Sequence, residues 1–181
     1  EYMTLKDVMK VAVIKLGLED DMDLDGGVLA GDTIKRLALA VNNTVTELAV
    51  CYFPLYKREK ITVKDGRFDY GSLEKRIVKI VSLRERGTPR KFKAYPSSLS
   101  AEDGEYEIEY SYMPKEQSLD GTLECDFRIN KDVVALGAIS EYALMVGEYE
   151  KGNVYDEKYK EALKNIAVSA KEIRIKRRAW L

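Results

Sequence analysis

Apolar residues recur at helical spacing near both ends of the chain and at strand spacing in its middle. Leu5, Val8, Met9, Ala12, Val13 and Leu16 fall three or four positions apart, the stripe of a helix with one buried face. Thr4 with Asp7 has the form of a capping box, and Gly17 is placed to end the helix. An acidic loop from Glu19 to Gly31 follows. Asp32 is then positioned to cap a second helix through Ile34, Leu37, Ala38, Val41, Val45, Leu48 and Ala49, which Pro54 stops.

The period then changes to two. Residues 60–64 and 67–70 flank Asp65-Gly66, a two-residue hairpin signal. Alternation returns around residues 77–81 and 91–95, and it is strictest in Glu105-Tyr106-Glu107-Ile108-Glu109-Tyr110-Ser111-Tyr112. That segment puts acids on one face and apolar residues on the other. About five short strands are predicted. Residues 115–130 read as a loop. Asn130 or Asp132 is placed to cap a third helix from Val133 to Val146, residues 147–152 break it, and Val154 to Ala170 carry a fourth.

The predicted fold is α+β: a helical bundle of two N-terminal and two C-terminal helices with a small antiparallel β-sandwich or barrel inserted. The corresponding parts are an N-terminal helical part (1–56), the β insertion (57–114), a C-terminal helical part (115–170) and a basic tail (171–181). No apolar run is long enough to cross a bilayer.

Composition narrows the chemistry. Among 181 residues there is no histidine, which removes Ser-His-Asp and Cys-His nucleophile pairs and His-ligated zinc. Twelve of the aromatics are tyrosine. With no signal-peptide pattern before them, Cys51 and Cys125 are expected as reduced thiols. The formal charge of −1 conceals a succession of −4 over residues 1–56, +8 over 57–95, −10 over 96–159 and +5 over 160–181. A uniformly basic nucleic-acid binder lacks this pattern; segregated blocks suit a subunit that docks against copies of itself or other proteins, and equally a solvated, charge-rich surface.

Three segments are candidates for a site. Asp21-x-Asp23-x-Asp25-Gly26, continued to Asp32, has the spacing of a calcium loop. Asp21, Asp23 and Asp25 would supply carboxylates, Gly27 its carbonyl, and Asp32 the closing ligand. Asp in place of Glu at the closing position and Leu29 at a usually polar one depart from the pattern. The alternative is a solvated acidic loop. Lys57, Arg58, Lys60, Arg84, Arg86, Arg90, Lys91 and Lys93, interleaved with Phe92 and Tyr95, could meet phosphate, although cations on edge strands also guard sheets against aggregation. Finally, Lys171, Arg174, Lys176, Arg177 and Arg178 stand near Trp180 in a tail expected to dock in an acidic protein groove; a nucleic-acid arm, or basic residues that simply suit a helix C-terminus, are the alternatives. No phosphate loop, dinucleotide fingerprint or acid–base pair stands out, so an enzyme is not expected.

Several short motifs stand in a particular order: Asn42-Asn43-x-x-x-Glu47-Leu48-Ala49, Tyr52-x-Pro54-Leu55, Tyr110-x-Tyr112-x-Pro114, residues 135–144 (ALGAISEYAL), Gly147-Glu148-Tyr149-Glu150 and Tyr159-Lys160-Glu161-Ala162-Leu163. Across nearly the whole chain this resembles the head–tail adaptor (connector) proteins of tailed bacteriophages. The resemblance implies a structural virion protein at the neck, assembled in the host bacterial cytoplasm as a homo-oligomeric, typically dodecameric, ring. The ring would sit below the portal protein, bind tail or neck proteins, and continue a channel through which genomic DNA passes without sequence-specific binding. It also implies that Lys171, Arg174, Lys176, Arg177, Arg178 and Trp180 dock on the portal. The calcium loop lies outside the resemblance. Two other readings stand beside it: another neck or tail-completion component, and a calcium-dependent binding module built on Asp21–Asp32.

Overall fold

The computed structural model describes residues 3–18 and 31–172, with side chains described to residue 167. The fold is α+β, with two N-terminal helices, central antiparallel sheets and two C-terminal helices that pack together. It divides into two compact units. One comprises Glu1–Val45, Glu116–Leu123 and Phe127–Leu181; the other comprises Thr46–Lys115 and Glu124–Asp126.

In the helical unit, α1 (Leu5–Leu16) begins with every open amide donor satisfied. The Asp7 N–H donates to Thr4 Oγ1 at 3.1 Å, and the Thr4 N–H donates to the Asp7 carboxylate at 2.9 Å. Leu5 and Lys6 donate to the carbonyls of Gly121 and Leu119 at 3.0 and 2.9 Å. The segment read as a loop, 115–130, therefore completes the start of α1. Gly17, at φ +68°, closes the helix: its N–H reaches Ile14 and that of Leu18 reaches Val13.

Helix α2 (Asp32–Glu47) starts with Asp32 as its first residue rather than as the residue before it. It does not continue as α-helix to Ala49. Leu48–Tyr52 form a π-helical stretch, closed by Phe53 N–H donating to Leu48 O at 2.7 Å. Helix α3 (Lys131–Met145) is capped by Asn130, whose Oδ1 accepts from the Val133 N–H at 3.0 Å. Helix α4 (Tyr149–Glu172) begins inside the predicted break. Gly147, at φ +85°, makes the turn alone. Gly152 instead lies within α4, where its carbonyl accepts from Ser140 Oγ at 2.9 Å. The core of this unit is formed by Leu5, Met9, Leu37, Val41, Val134 and Ile139, all fully buried.

The β unit holds seven strands rather than about five, because four of the strands are only two or three residues long. They are β1 (Leu55–Val63), β2 (Phe68–Asp69), β3 (Ile77–Glu85), β4 (Thr88–Pro89), β5 (Lys93–Ala94), β6 (Ser98–Ser100) and β7 (Gly104–Tyr112). A four-stranded antiparallel sheet runs β1-β7-β3-β4 and a three-stranded one β2-β6-β5. Asp65 and Gly66 take φ +52° and +71°, as the hairpin signal requires, and Lys64 and Arg67 exchange both backbone bonds. The hairpin goes no further. β2 is two residues long and leaves to pair with β6, while β1 pairs along nine residues with β7. β7 can cover the inward Ile61 and Val63 along its whole length; β2 cannot. Ile61, Val63, Leu83, Leu99, Tyr106, Ile108 and Tyr110 form the core of this unit.

Candidate functional site

The central strand β7 sets the character of the β unit. Tyr106, Ile108 and Tyr110 point into the core, so Glu105, Glu107 and Glu109 point to the opposite face. Register places Arg58 and Ser82 on either side of Glu109, and Lys60 and Arg84 on either side of Glu107. Arg58 holds Glu109 at 3.0 Å with both Nε and Nη2, and Ser82 Oγ donates to it at 3.3 Å. The acidic row is thus flanked by cations on both neighbouring strands. This face is a charge ladder, not a bare acidic strip, and cross-strand pairs of opposite sign favour this register.

The inner face carries polar groups among the apolar ones, and they form one chain. Tyr110 donates its phenol proton to Glu59, which lies within 3.8 Å of Lys57; Lys57 also pairs closely with Glu74. The Glu74 N–H donates to Glu59 at 3.2 Å and the Lys75 N–H to the Tyr110 oxygen at 3.4 Å. Lys75 Nζ reaches both oxygens of Glu124, at 2.9 and 3.0 Å, and stands 5.4 Å from the centre of the Tyr112 ring. Tyr112 in turn donates to Glu124 at 3.0 Å. These contacts fasten the 70–76 connection to the sheet.

Burial raises the Tyr112 phenol to about 12, helped by its bond to Glu124 and that group's charge. Tyr110 moves in the same direction for the same reason, with Glu59 as partner. Burial works to raise Glu124, but the bonds from Lys75 and Tyr112 outweigh it and hold the carboxyl below its usual range. Sequence reading passed over Glu59, Lys75 and Glu124. A signal existed for Glu59: it occupies an inward position of an alternating strand, where a charge needs a partner.

The candidate phosphate-binding cations are distributed differently from a binding platform. Lys57, Arg58 and Arg90 are held by Glu74, Glu109 and Glu85. Lys93 lies 5.2 Å from the centre of the Tyr95 ring. Phe92 packs against the core rather than standing free to stack on a base. Lys60, Arg84 and Arg86 line one end of the ladder, around a cleft of ≈ 770 Å³ that Glu105 and Glu107 also line. The Arg84 Nε there is buried and has no hydrogen-bond partner among the described residues. Because acids and cations share this cleft, it does not select for anions.

Of the calcium-loop positions, only Asp32 lies within the described residues, as the first residue of α2. Asp21, Asp23, Asp25 and Gly27 lie outside them. Among the described residues no three acidic or cysteine side chains are grouped to hold a metal ion. Lys171 lies in α4, its side chain outside the described set; Arg174, Lys176, Arg177, Arg178 and Trp180 are also outside it. Cys51 is exposed and Cys125 half-buried, and neither forms a disulfide. Burial, with Asp126 and Glu124 nearby, pushes the Cys125 thiol up to about 12.

The ordered motif residues of the helical unit serve packing and junctions. Asn42 holds Gln117 in both directions, its Oδ1 accepting from the Gln117 N–H at 2.9 Å and its Nδ2 donating to the Gln117 carbonyl at 3.1 Å. Asn43 Nδ2 donates to Glu141 at 3.2 Å. Gly137 allows Thr44 and the Tyr159 ring to close on α3; a Cβ there would stand 2.6 Å from Thr44 Cγ2. Among the described residues no helix is long and apolar enough to cross a membrane. Compared with known protein families and with curated proteins, the chain matches none.

Proposed function

We propose that the chain is a structural subunit of the phage head–tail adaptor kind, forming a ring below a portal and linking capsid to tail in the virion neck. The observation that carries this reading is the ordered set of motif residues together with what they do. Asn42, Asn43, Glu141 and Gly137 stand at the contacts joining α2, α3 and the 115–123 segment, so their spacing is a property of one helical architecture. The β unit supports it with a charge-laddered outer face suited to meeting a protein surface of mixed sign. A ring made by head-to-tail contacts requires two different complementary surfaces on each copy. In this reading the tail from Lys171 to Trp180 docks on the portal. Mass photometry and single-particle imaging of the chain with the portal protein of its phage test the proposal. Rings on the portal are expected, and they are lost on deletion of residues 171–181. A chain that stays monomeric and unattached at high concentration with portal present overturns it. Attachment only to a preassembled neck, with no contact to the portal, identifies a later neck or tail-completion component instead.

A further inference from the structure

The sheet β1-β7-β3-β4 has β1 as one edge, nine residues long and without a bulge. At the other side of the sheet, β3 is interrupted by two register shifts and partly covered by β4. Bulges and cover are how sheets blunt an edge; β1 has its cations and, beside its Val63 end only, the hairpin return to β2. The direction of its backbone groups follows from the Lys64–Arg67 pair, in which Lys64 directs both N–H and C=O toward Arg67, away from β7. Alternation along a strand then turns the N–H and C=O of Tyr56, Arg58, Lys60 and Thr62 to the same outer edge. None of these groups has a backbone partner among the described residues, and all four side chains are exposed. Lys60 makes no ion pair among the described residues, although Glu107 is opposite it in register.

The occupied edge of β1 indicates what suits the open one. There, acids at alternate positions of β7 fall opposite Arg58 and Lys60 while apolar residues alternate with them. The sequence contains two runs of four acids at every second position: Asp103, Glu105, Glu107, Glu109, and Glu19, Asp21, Asp23, Asp25, the latter with Met22 and Leu24 between its last three. We infer that the open edge of β1 takes the Glu19–Asp25 run of a second copy as an added strand. Its carboxylates would lie beside Arg58 and Lys60 on the outer face, mirroring β7. Two like β1 edges would not pair as well: an antiparallel match centred on Glu59 sets Arg58 against Lys60 of the other copy. This goes beyond the ring reading and is tested without a portal.

Amide hydrogen exchange on the full chain reads the edge directly. In dilute protein the amides of Tyr56, Arg58, Lys60 and Thr62 should exchange freely, while those of Lys57, Glu59 and Ile61 are protected by β7. Raising the chain concentration, or adding a synthetic peptide of residues 19–27, should slow the first set at least tenfold. A peptide with Asn at 19, 21, 23 and 25 should bind at least tenfold more weakly. Lys60→Pro, which removes an edge donor that β7 does not use, should abolish the protection, whereas Lys60→Gln should only weaken it. Edge amides that stay unprotected at millimolar peptide overturn the inference. So does protection that is independent of chain concentration, since that means pairing within one copy. If Lys60→Pro unfolds the chain, the peptide comparison on unaltered protein still decides.

Discussion

Gly137 shows how one missing side chain governs a helix junction. In an isolated helix, alanine would be favoured over glycine by about 1 kcal/mol. Here the added Cβ meets Thr44 Cγ2 at 2.6 Å and the Tyr159 ring at 3.0 Å, and both neighbours are buried in their own helices. Overpacking of that kind costs roughly 1–3 kcal/mol, so Gly137→Ala should destabilise despite its better propensity. Urea unfolding should show a lowered midpoint with an unchanged slope; a raised midpoint would mean that the junction yields easily. Tyr110 is the counterpart in the β unit. Tyr110→Phe keeps the ring in the core but removes the bond to Glu59, a half-buried carboxylate then left with Lys57 and the Glu74 N–H. A hydrogen bond to a charged group contributes about 1.5–3 kcal/mol, and a loss in that range is expected in the same measurement.

At the scale of elements, the start of α1 is the best-determined feature of the chain. Both halves of the capping box form, so Thr4→Ala should cost about 1 kcal/mol, and Thr4→Ser should recover most of it. Thermal melts of the three proteins would check this. That cap was legible because it depends on residues three apart. So were the Gly17 terminus, the Asn130 cap and the inward face of β7, each written in a local pattern. Features that depend on distant partners were less legible. Asp65-Gly66 specified its turn but could not specify that β1 would pair with a strand forty residues on. The 115–130 segment has no periodicity, yet its carbonyls complete α1 and its Gln117 is held by Asn42. Gly152 looked like a helix breaker because sequence cannot distinguish a glycine needed for a turn from one needed for close approach; Leu144 stands 3.1 Å from its missing Cβ. In the candidate site, the charge ladder became visible only when register set Arg58 and Lys60 against the β7 acids. The polar chain from Lys57 to Glu124 joins residues up to 67 positions apart.

For the molecule as a whole, the titrating groups with shifted ionisation lie at the two ends of the pH scale. Asp7, Glu74 and Glu124 are held below their usual values: Asp7 mainly by its bonds to Thr4, Glu74 by Lys57, and Glu124 by Lys75 and Tyr112 against burial. A carboxyl whose folded pKa is depressed contributes stability above its unfolded pKa, near 4.5 for glutamate, and loses it as pH falls through the folded value. Tyr70, Tyr110 and Tyr112 are raised, chiefly by burial. Their contribution is complete below the ordinary phenol value of 10.0 and is lost as pH rises through the folded values, about 12 for Tyr112. With no histidine in the chain, no side chain with an ordinary pKa near 6.5 contributes a step between these limits. The buried Cys125 thiol, raised from 9.0, behaves likewise, so the melting temperature should stay level from about pH 6 to pH 8, fall below about pH 4.5, and fall again above about pH 9, with the thiol leading the tyrosines. Glu124→Gln should make the acid fall shallower while lowering the plateau, since an amide cannot replace a carboxylate between Lys75 and Tyr112. A transition centred near pH 6.5 would contradict this, because no histidine is present to produce it. Such a profile keeps the fold across the neutral range, where contacts built from exposed charge respond to salt rather than to pH. Adding salt at pH 7 should weaken edge pairing through Arg58 and Lys60 while leaving the melting temperature of the dilute chain nearly unchanged.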